Sequence, residues 1–203
     1  MTRIQATAIT LMVCGVMNAA EPIQIGSRLE LMIDDHLVAS TRGRIGLQMH
    51  RPVRRNVALV TDNKWEGNAC TYTSVFQDGD RYRMYFGSLH YEMTEGKLSQ
   101  GHPPFTWYAE RRDGIHWTKP NLGLVEFEGS RKNNIVLANG TIPGLVVDAA
   151  HIAVFKDSNP KCLAAEQYKA LIRSRAAKGL YALKSPDGFH FSPITKQLVI
   201  TDG

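Results

Sequence analysis

Four short segments recur in the same order along this 203-residue chain, and no other feature limits its possible folds so tightly. Ser74-Val75-Phe76-Gln77-Asp78 returns as Ala153-Val154-Phe155-Lys156-Asp157, and Tyr82-Arg83-Met84-Tyr85-Phe86 returns as Tyr168-Lys169-Ala170-Leu171-Ile172. Trp107-Tyr108-Ala109-Glu110 is echoed by Leu180-Tyr181-Ala182-Leu183, and Asp113-Gly114-Ile115-His116-Trp117 by Asp187-Gly188-Phe189-His190-Phe191. Partners lie 79 residues apart for Phe76 and Phe155, 86 for Tyr82 and Tyr168, and 74 for Asp113 and Asp187. Segments that persist while their spacing drifts are the mark of tandem repeats that accept insertions in loops.

Each segment is rich in β-branched and aromatic residues and is bounded by turn signals, whereas helical periodicity is nearly absent after residue 20. Strands are expected at 71–76, 82–86, 106–110, 135–138, 151–155, 168–173 and 180–184. Asp78-Gly79, Asp113-Gly114, Asn139-Gly140 and Asp187-Gly188 supply tight turns, because glycine tolerates the positive φ that such turns demand. A sandwich would also give many short strands, but would not repeat one four-strand order. Tandem four-strand units are the pattern of β-propeller blades, so the expected class is all-β, an incomplete five-bladed β-propeller. Residues 65–120 and 145–195 would each form a blade, and 23–50 and 198–203 would be pieces of others, about two and a half blades in all. An open propeller leaves sheet edges unpaired. The expectation is therefore the N-terminal part of a longer chain, a truncated product, or a ring completed by further blades from outside this sequence.

The start of the chain reads as an export signal. Met1-Thr2-Arg3 is positive, residues 9–17 are almost wholly apolar, and Asn18-Ala19-Ala20 offers small residues before Glu21-Pro22. Residues 1–20 are expected to be removed, leaving 21–203 as a secreted or periplasmic partial propeller domain. The apolar run is short of the roughly 20 residues that a spanning helix needs, so no membrane span is expected. Cys70 and Cys162 would remain, either bridged in an oxidising compartment or held as two buried thiols.

A net charge of +5 concentrates basic residues at Arg42, Arg44, Arg51, Arg54 and Arg55. These suit a solvated strand edge or an anionic polysaccharide. Nucleic acid is not expected, because no recognition-helix or RNP-like motif accompanies the charge. GxSxG, HExxH, P-loop and GxGxxG motifs are all absent, so no cofactor and no metal are expected.

Leu31-Met32-Ile33-Asp34-Asp35-His36-Leu37, Trp65-Glu66-Gly67-Asn68, Tyr82-Arg83-Met84-Tyr85, Asp113-Gly114-Ile115-His116-Trp117 and Gly129-Ser130-Arg131-Lys132-Asn133-Asn134-Ile135 resemble secreted bacterial proteins of the invertase and arabinanase propeller superfamily. The likeness runs over essentially the whole chain after residue 20. It implies a polysaccharide or oligosaccharide partner and a glycoside-hydrolase-like site built from carboxylates around a central channel. One carboxylic acid would protonate the leaving oxygen while a carboxylate attacks or activates water. The candidates are Glu66, before the inner strand 71–76; Asp35, which closes the first apolar run; and Asp148, before the inner strand 151–155. Asp34 and Asp35 point to opposite faces if they lie on a strand, so at most one would face the channel. Trp65 and Tyr72 offer aromatic faces for sugar rings, and Asn68 a hydrogen-bonding neighbour. His116 and His190 sit in the repeat unit and read as structural. The Asn-Asp-Pro-Asn-Gly type motif of invertases is absent. The resemblance thus implies an incomplete carboxylate set, inactive by itself, and leaves open a non-catalytic carbohydrate-binding or structural propeller, or a degenerate product.

Overall fold

The computed structural model describes residues 21–201 apart from Met32, Arg55, Asn56 and Gly114. The export signal expected over residues 1–20 lies outside them. The chain divides into two units, Met1–Arg54 and Arg55–Gly203.

In the first unit the described residues form turns and bends and no strand. The piece of sheet expected at 23–50 is therefore absent among them. Leu29, Leu31, Ile33, Ile45, Leu47 and Met49 all stand exposed. An apolar, β-prone run becomes a strand only when a neighbour takes its backbone groups, and no described residue pairs with these in a ladder.

The second unit is all-β. Strands β1 (Ala69–Asp78), β2 (Arg81–Thr94), β3 (Lys97–Arg111) and β4 (Ile135–Ala138) form one four-stranded antiparallel sheet in chain order. Strands β5 (Val147–Lys156), β6 (Tyr168–Ser174), β7 (Leu180–Ser185) and β8 (Ser192–Pro193) form a second of the same order. A single turn of 3-10 helix, Ala164–Glu166, interrupts the approach to β6. No helix of the described residues is long and apolar enough to cross a membrane. The two sheets do not close into a ring.

The repeat found in the sequence is a repeat of hydrogen-bond register for three of the four segments; the third moves on by one residue, so that Glu110 corresponds to Lys184 and not to Leu183. Phe76 pairs with Arg83 as Phe155 pairs with Lys169, and Arg83 pairs with Glu110 as Lys169 pairs with Lys184. The bridge from Glu110 to Thr118 recurs as the pairing of Lys184 with Ser192, and Thr106 to Leu137 recurs as Leu180 to Ile200. The fourth strand of each sheet is thus assembled from two separated pieces. This moves the expected boundaries: the first sheet runs on to Ala138 rather than ending at 120, and Ile200 completes the second sheet rather than opening another.

The Asp-His turns are built twice as well. Asp113 Oδ1 accepts from the backbone N–H groups of Ile115 and His116, and Asp187 Oδ1 from those of Phe189 and His190. The bonds from the backbone of His116 and Ile115 hold the Asp113 carboxyl well below the usual carboxylate range. At Asp187 burial opposes ionisation, but the bonds from His190 and Phe189 outweigh it and its carboxyl is also depressed.

The first sheet is buried on both faces, which explains the unbroken buried run from Met84 to Ser88 and from Pro104 to Ala109 in place of alternation. Met84, Phe86, Phe105, Trp107 and Ile135 pack under Leu59, Trp65, Trp117 and Phe127. Tyr85, Tyr108, Val136 and Leu137 pack with Val147, Ile152, Ile172 and Leu183 of the second sheet. Arg83 crosses this seam: its Nη1 donates to the Asp187 carbonyl at 2.7 Å, its Nε lies 2.6 Å from Asp78 Oδ2, and its guanidinium covers the Tyr168 ring at 4.6 Å. Cys70 is exposed and Cys162 half-buried, both as free thiols, so the structure shows neither the bridge nor the two buried thiols that the sequence left as alternatives.

Candidate functional site

Strands β1 and β5 open the two sheets and are tied together directly. Thr71 Oγ1 donates to the Ala150 carbonyl at 3.1 Å, and the Val154 N–H donates to Ser74 Oγ at 3.1 Å. Each strand loses register near its start, between Thr71 and Ser74 in β1 and between Val147 and Ile152 in β5. Bulges re-aim side chains, and these two bring Tyr72 and His151 together. Tyr72 adopts φ 47 and is 62% exposed. Its ring lies 4.7 Å from that of His151, centroid to centroid. The two residues are 79 positions apart and so occupy the same place in the repeat.

Asp148 completes the cluster. Its Oδ2 lies 3.0 Å from His151 Nδ1 and 3.7 Å from Arg173 Nη1, and its Oδ1 accepts the Ala150 N–H at 3.2 Å. The His151 contact is at ion-pair distance but off the line of a hydrogen bond. Asp148 keeps 15% of its side chain exposed, toward a cavity of about 650 Å³ lined also by Arg173, Arg175, Lys178, Leu180 and Ile200. A recess of about 240 Å³ bordered by Tyr72, His151, Leu171, Arg173 and Leu180 shares two of those walls. The larger volume is in the range of small-ligand sites, roughly 300–1,000 Å³.

The other candidates go elsewhere. Glu66 is 0% exposed. Its Oε2 accepts from the backbone N–H groups of Asp62 and Asn63, each at 3.0 Å, and from Lys119 Nζ at 2.7 Å. A carboxylate so placed cannot touch a saccharide unless this staple opens. Trp65 is half-buried, donates from Nε1 to Asn134 Oδ1 at 2.7 Å and sets its ring edge-on to Phe127. Asn68 is exposed, and its amide is spent on the backbone of Tyr91, donating to the carbonyl at 2.8 Å and accepting from the N–H at 2.9 Å. Asp35 is exposed in the first unit. Of the six candidates, the structure brings together only Asp148 and Tyr72.

His151 and the basic residues of the cavity were not singled out from the sequence. His151 was recoverable, because the 79-residue offset places it opposite Tyr72. Arg173-Ser174-Arg175 was legible as a basic run, but only the turn after β6 shows that it borders a cavity. Among the described residues no three histidine, cysteine, aspartate or glutamate side chains gather as a metal group would require.

No family model and no solved structure matches the chain. It is similar to two uncharacterized proteins of Mycobacterium tuberculosis, MT1551 from strain CDC 1551 and Rv1502 from strain H37Rv. Each is 37% identical to it over 60 residues, which is 30% of this chain and 19% of the relative. The chain thus spans about a fifth of the length of the curated relatives it matches.

Proposed function

We propose that this chain is part of a secreted, glycoside-hydrolase-like β-propeller that binds a polysaccharide or oligosaccharide in the cleft beside β5. The repeated four-strand order supports the propeller reading, since similar units packed seam to seam are what radial closure requires. The observation that carries the functional reading is the cleft itself. It sets a cavity of about 650 Å³ bordered by a carboxylate, Asp148, beside a recess of about 240 Å³ bordered by an exposed tyrosine ring and an imidazole, the two sharing Arg173 and Leu180 as walls. An aromatic face covers the apolar side of a sugar ring, while Asp148 and His151 meet its hydroxyls.

Two-carboxylate hydrolysis needs a second acid within roughly 5–10 Å of the first. Glu66 is committed to Lys119, so the residues in the cleft favour binding over turnover by this chain alone. The test is isothermal titration of the full chain with a panel of plant, algal and bacterial oligosaccharides. Tyr72→Ala should weaken binding by about tenfold, on the order of one lost stacking contact, and leave the melting temperature within a few degrees. Glu66→Gln should leave affinity intact. A panel without a ligand, or a Glu66→Gln variant that folds and loses binding, refutes the assignment.

A further inference from the structure

We propose that the cleft beside β5 selects saccharides that carry a negative group, a carboxylate or a sulfate ester, and that Arg173, Arg175 and Lys178 are the residues that read it. This rests on the carbohydrate reading above and names the substrate class of the same site.

The first support is the charge of the wall. Three cations and one carboxylate, Asp148, line the larger cavity. Asp148 is already shared between His151 and Arg173. Among the described residues Arg175 and Lys178 have no acidic partner, whereas Lys119, Lys156, Lys169 and Lys184 are each paired. Unpaired cations around one concavity raise the local concentration of anions and orient them, and a guanidinium fork fits a carboxylate or sulfate face in a way that a neutral hydroxyl cannot match.

The second support is that the backbone of the turn that carries the cations is held in place. The Arg175 N–H donates to the Val146 carbonyl at 2.9 Å, the Ser174 N–H donates to the Gly179 carbonyl at 3.0 Å, and Ser174 Oγ accepts from the N–H groups of Ala176 and Ala177. Gly179 has φ 138 and lies so close to the Ile200 backbone that no side chain fits there. The turn is therefore tied at both ends and through its middle, and ordering it on binding costs little.

The third support is that the repeat does not require these residues. The 86-residue offset that aligns β2 with β6 sets Gly87 opposite Arg173 and Leu89 opposite Arg175, and the 79-residue offset sets Ala69 opposite Asp148. In the body of the strands the first sheet reaches the same register without any of the charges, Ser74 pairing with Tyr85 as Ala153 pairs with Leu171, and the two sheets part only at the end that carries them, where Ser88 pairs with Cys70 but Ser174 with Val147. Arg173, Arg175 and Asp148 are thus additions to one repeat and not part of what builds a sheet.

The experiment uses the full chain and four probes at low ionic strength: polygalacturonate, dextran sulfate, neutral dextran and millimolar inorganic sulfate. Polymers are followed by affinity electrophoresis and sulfate by thermal melting. Arg175→Gln/Lys178→Gln is compared with Arg42→Gln/Arg44→Gln, which removes the same charge from the first unit. The expected result is retardation by an acidic polymer and not by dextran, with affinity falling about tenfold or more in Arg175→Gln/Lys178→Gln and unchanged in the control pair. Retardation by polygalacturonate alone assigns a carboxylate, and by dextran sulfate alone a sulfate ester; both uphold the proposal. Equal retardation by dextran overturns it and leaves the carbohydrate reading standing. Equal weakening in the control pair overturns it as net charge only. A melting shift with inorganic sulfate that only Arg175→Gln/Lys178→Gln abolishes, without retardation by any polymer, upholds the anion site and overturns the carbohydrate reading. Response to none of the four probes overturns both.

Discussion

Replacing Lys119 with methionine isolates the energetics of the buried carboxylate. Lys119 Nζ lies 2.7 Å from Glu66 Oε2 and 2.9 Å from Asp62 Oδ1, and it donates to the Val60 carbonyl. It thereby pins the segment that precedes β1 to the chain that follows β3. Without it, a fully buried carboxylate keeps two backbone N–H donors on Oε2, and Oε1 has no partner. Removing one member of a buried pair costs about 3–5 kcal/mol. The low end, about 3 kcal/mol, applies because Lys119 is itself 16% exposed and the two N–H donors remain. That is a large part of the roughly 5–15 kcal/mol that holds a domain folded, and moves a urea midpoint down by about 1–2 M. The assay is urea unfolding followed by intrinsic fluorescence, since Trp107 lies in the cluster beneath this segment and Trp65 and Trp117 pack against it. The double variant Glu66→Gln/Lys119→Met removes the stranded charge as well and should regain more than half of the loss. A Lys119→Met variant within 1 kcal/mol of the parent, or a double variant no better than the single, would refute the account of Glu66 as a structural carboxylate.

Three further outcomes are expected. Gly87→Ala should destabilise by about 3 kcal/mol or more, because a Cβ there would meet the Ala150 carbonyl and lie 2.7 Å from Thr71 Oγ1, where backbone cannot yield; a urea midpoint like the parent's would contradict the tight seam between β2 and β5. Burial pushes the Asp78 carboxyl up, but bonds from Lys156 and Tyr168 and the charge of Arg83 outweigh it and hold the carboxyl below its ordinary value. A group depressed in the folded state stabilises above its unfolded pKa, about 4, and this stability is lost as pH falls further. Melting temperatures should thus be level from pH 7 to about 5 and drop below about 4, and Asp78→Asn should flatten that drop. Finally, a thiol reagent added to the native chain should label exposed Cys70 before Cys162; resistance of both would mean that they are bridged.

Most of the second unit was legible in its residues. All seven strands expected there form, because β-branched and aromatic runs between Asp-Gly and Asn-Gly turns leave few alternatives. The long extension of β2 and β3 was missed, since its turn is Glu95-Gly96. Both residues there take positive φ, 51 and 74, and glutamate does not announce such a turn. The far piece β4 was expected as a strand, but not as the fourth strand of the first sheet. A loop of 23 residues separates it from β3, and pairing across such a loop leaves no local pattern.

The candidate site was legible only in part, and the reason is physical. Repetition is a property of the sequence, so it marked the strands and the paired Asp-His turns at Asp113 and Asp187, while the register of the third strand differed by one residue from the sequence match. Burial and proximity belong to the tertiary structure, which alone decided that Glu66 disappears under Lys119, that the Asn68 amide is spent on Tyr91, and that two bulges set Tyr72 against His151. A carboxylate beside a tryptophan reads the same in sequence whether it faces a channel or a lysine. What separates the two cases is which distant residue the packing delivers to it, and here that residue lies 53 positions away.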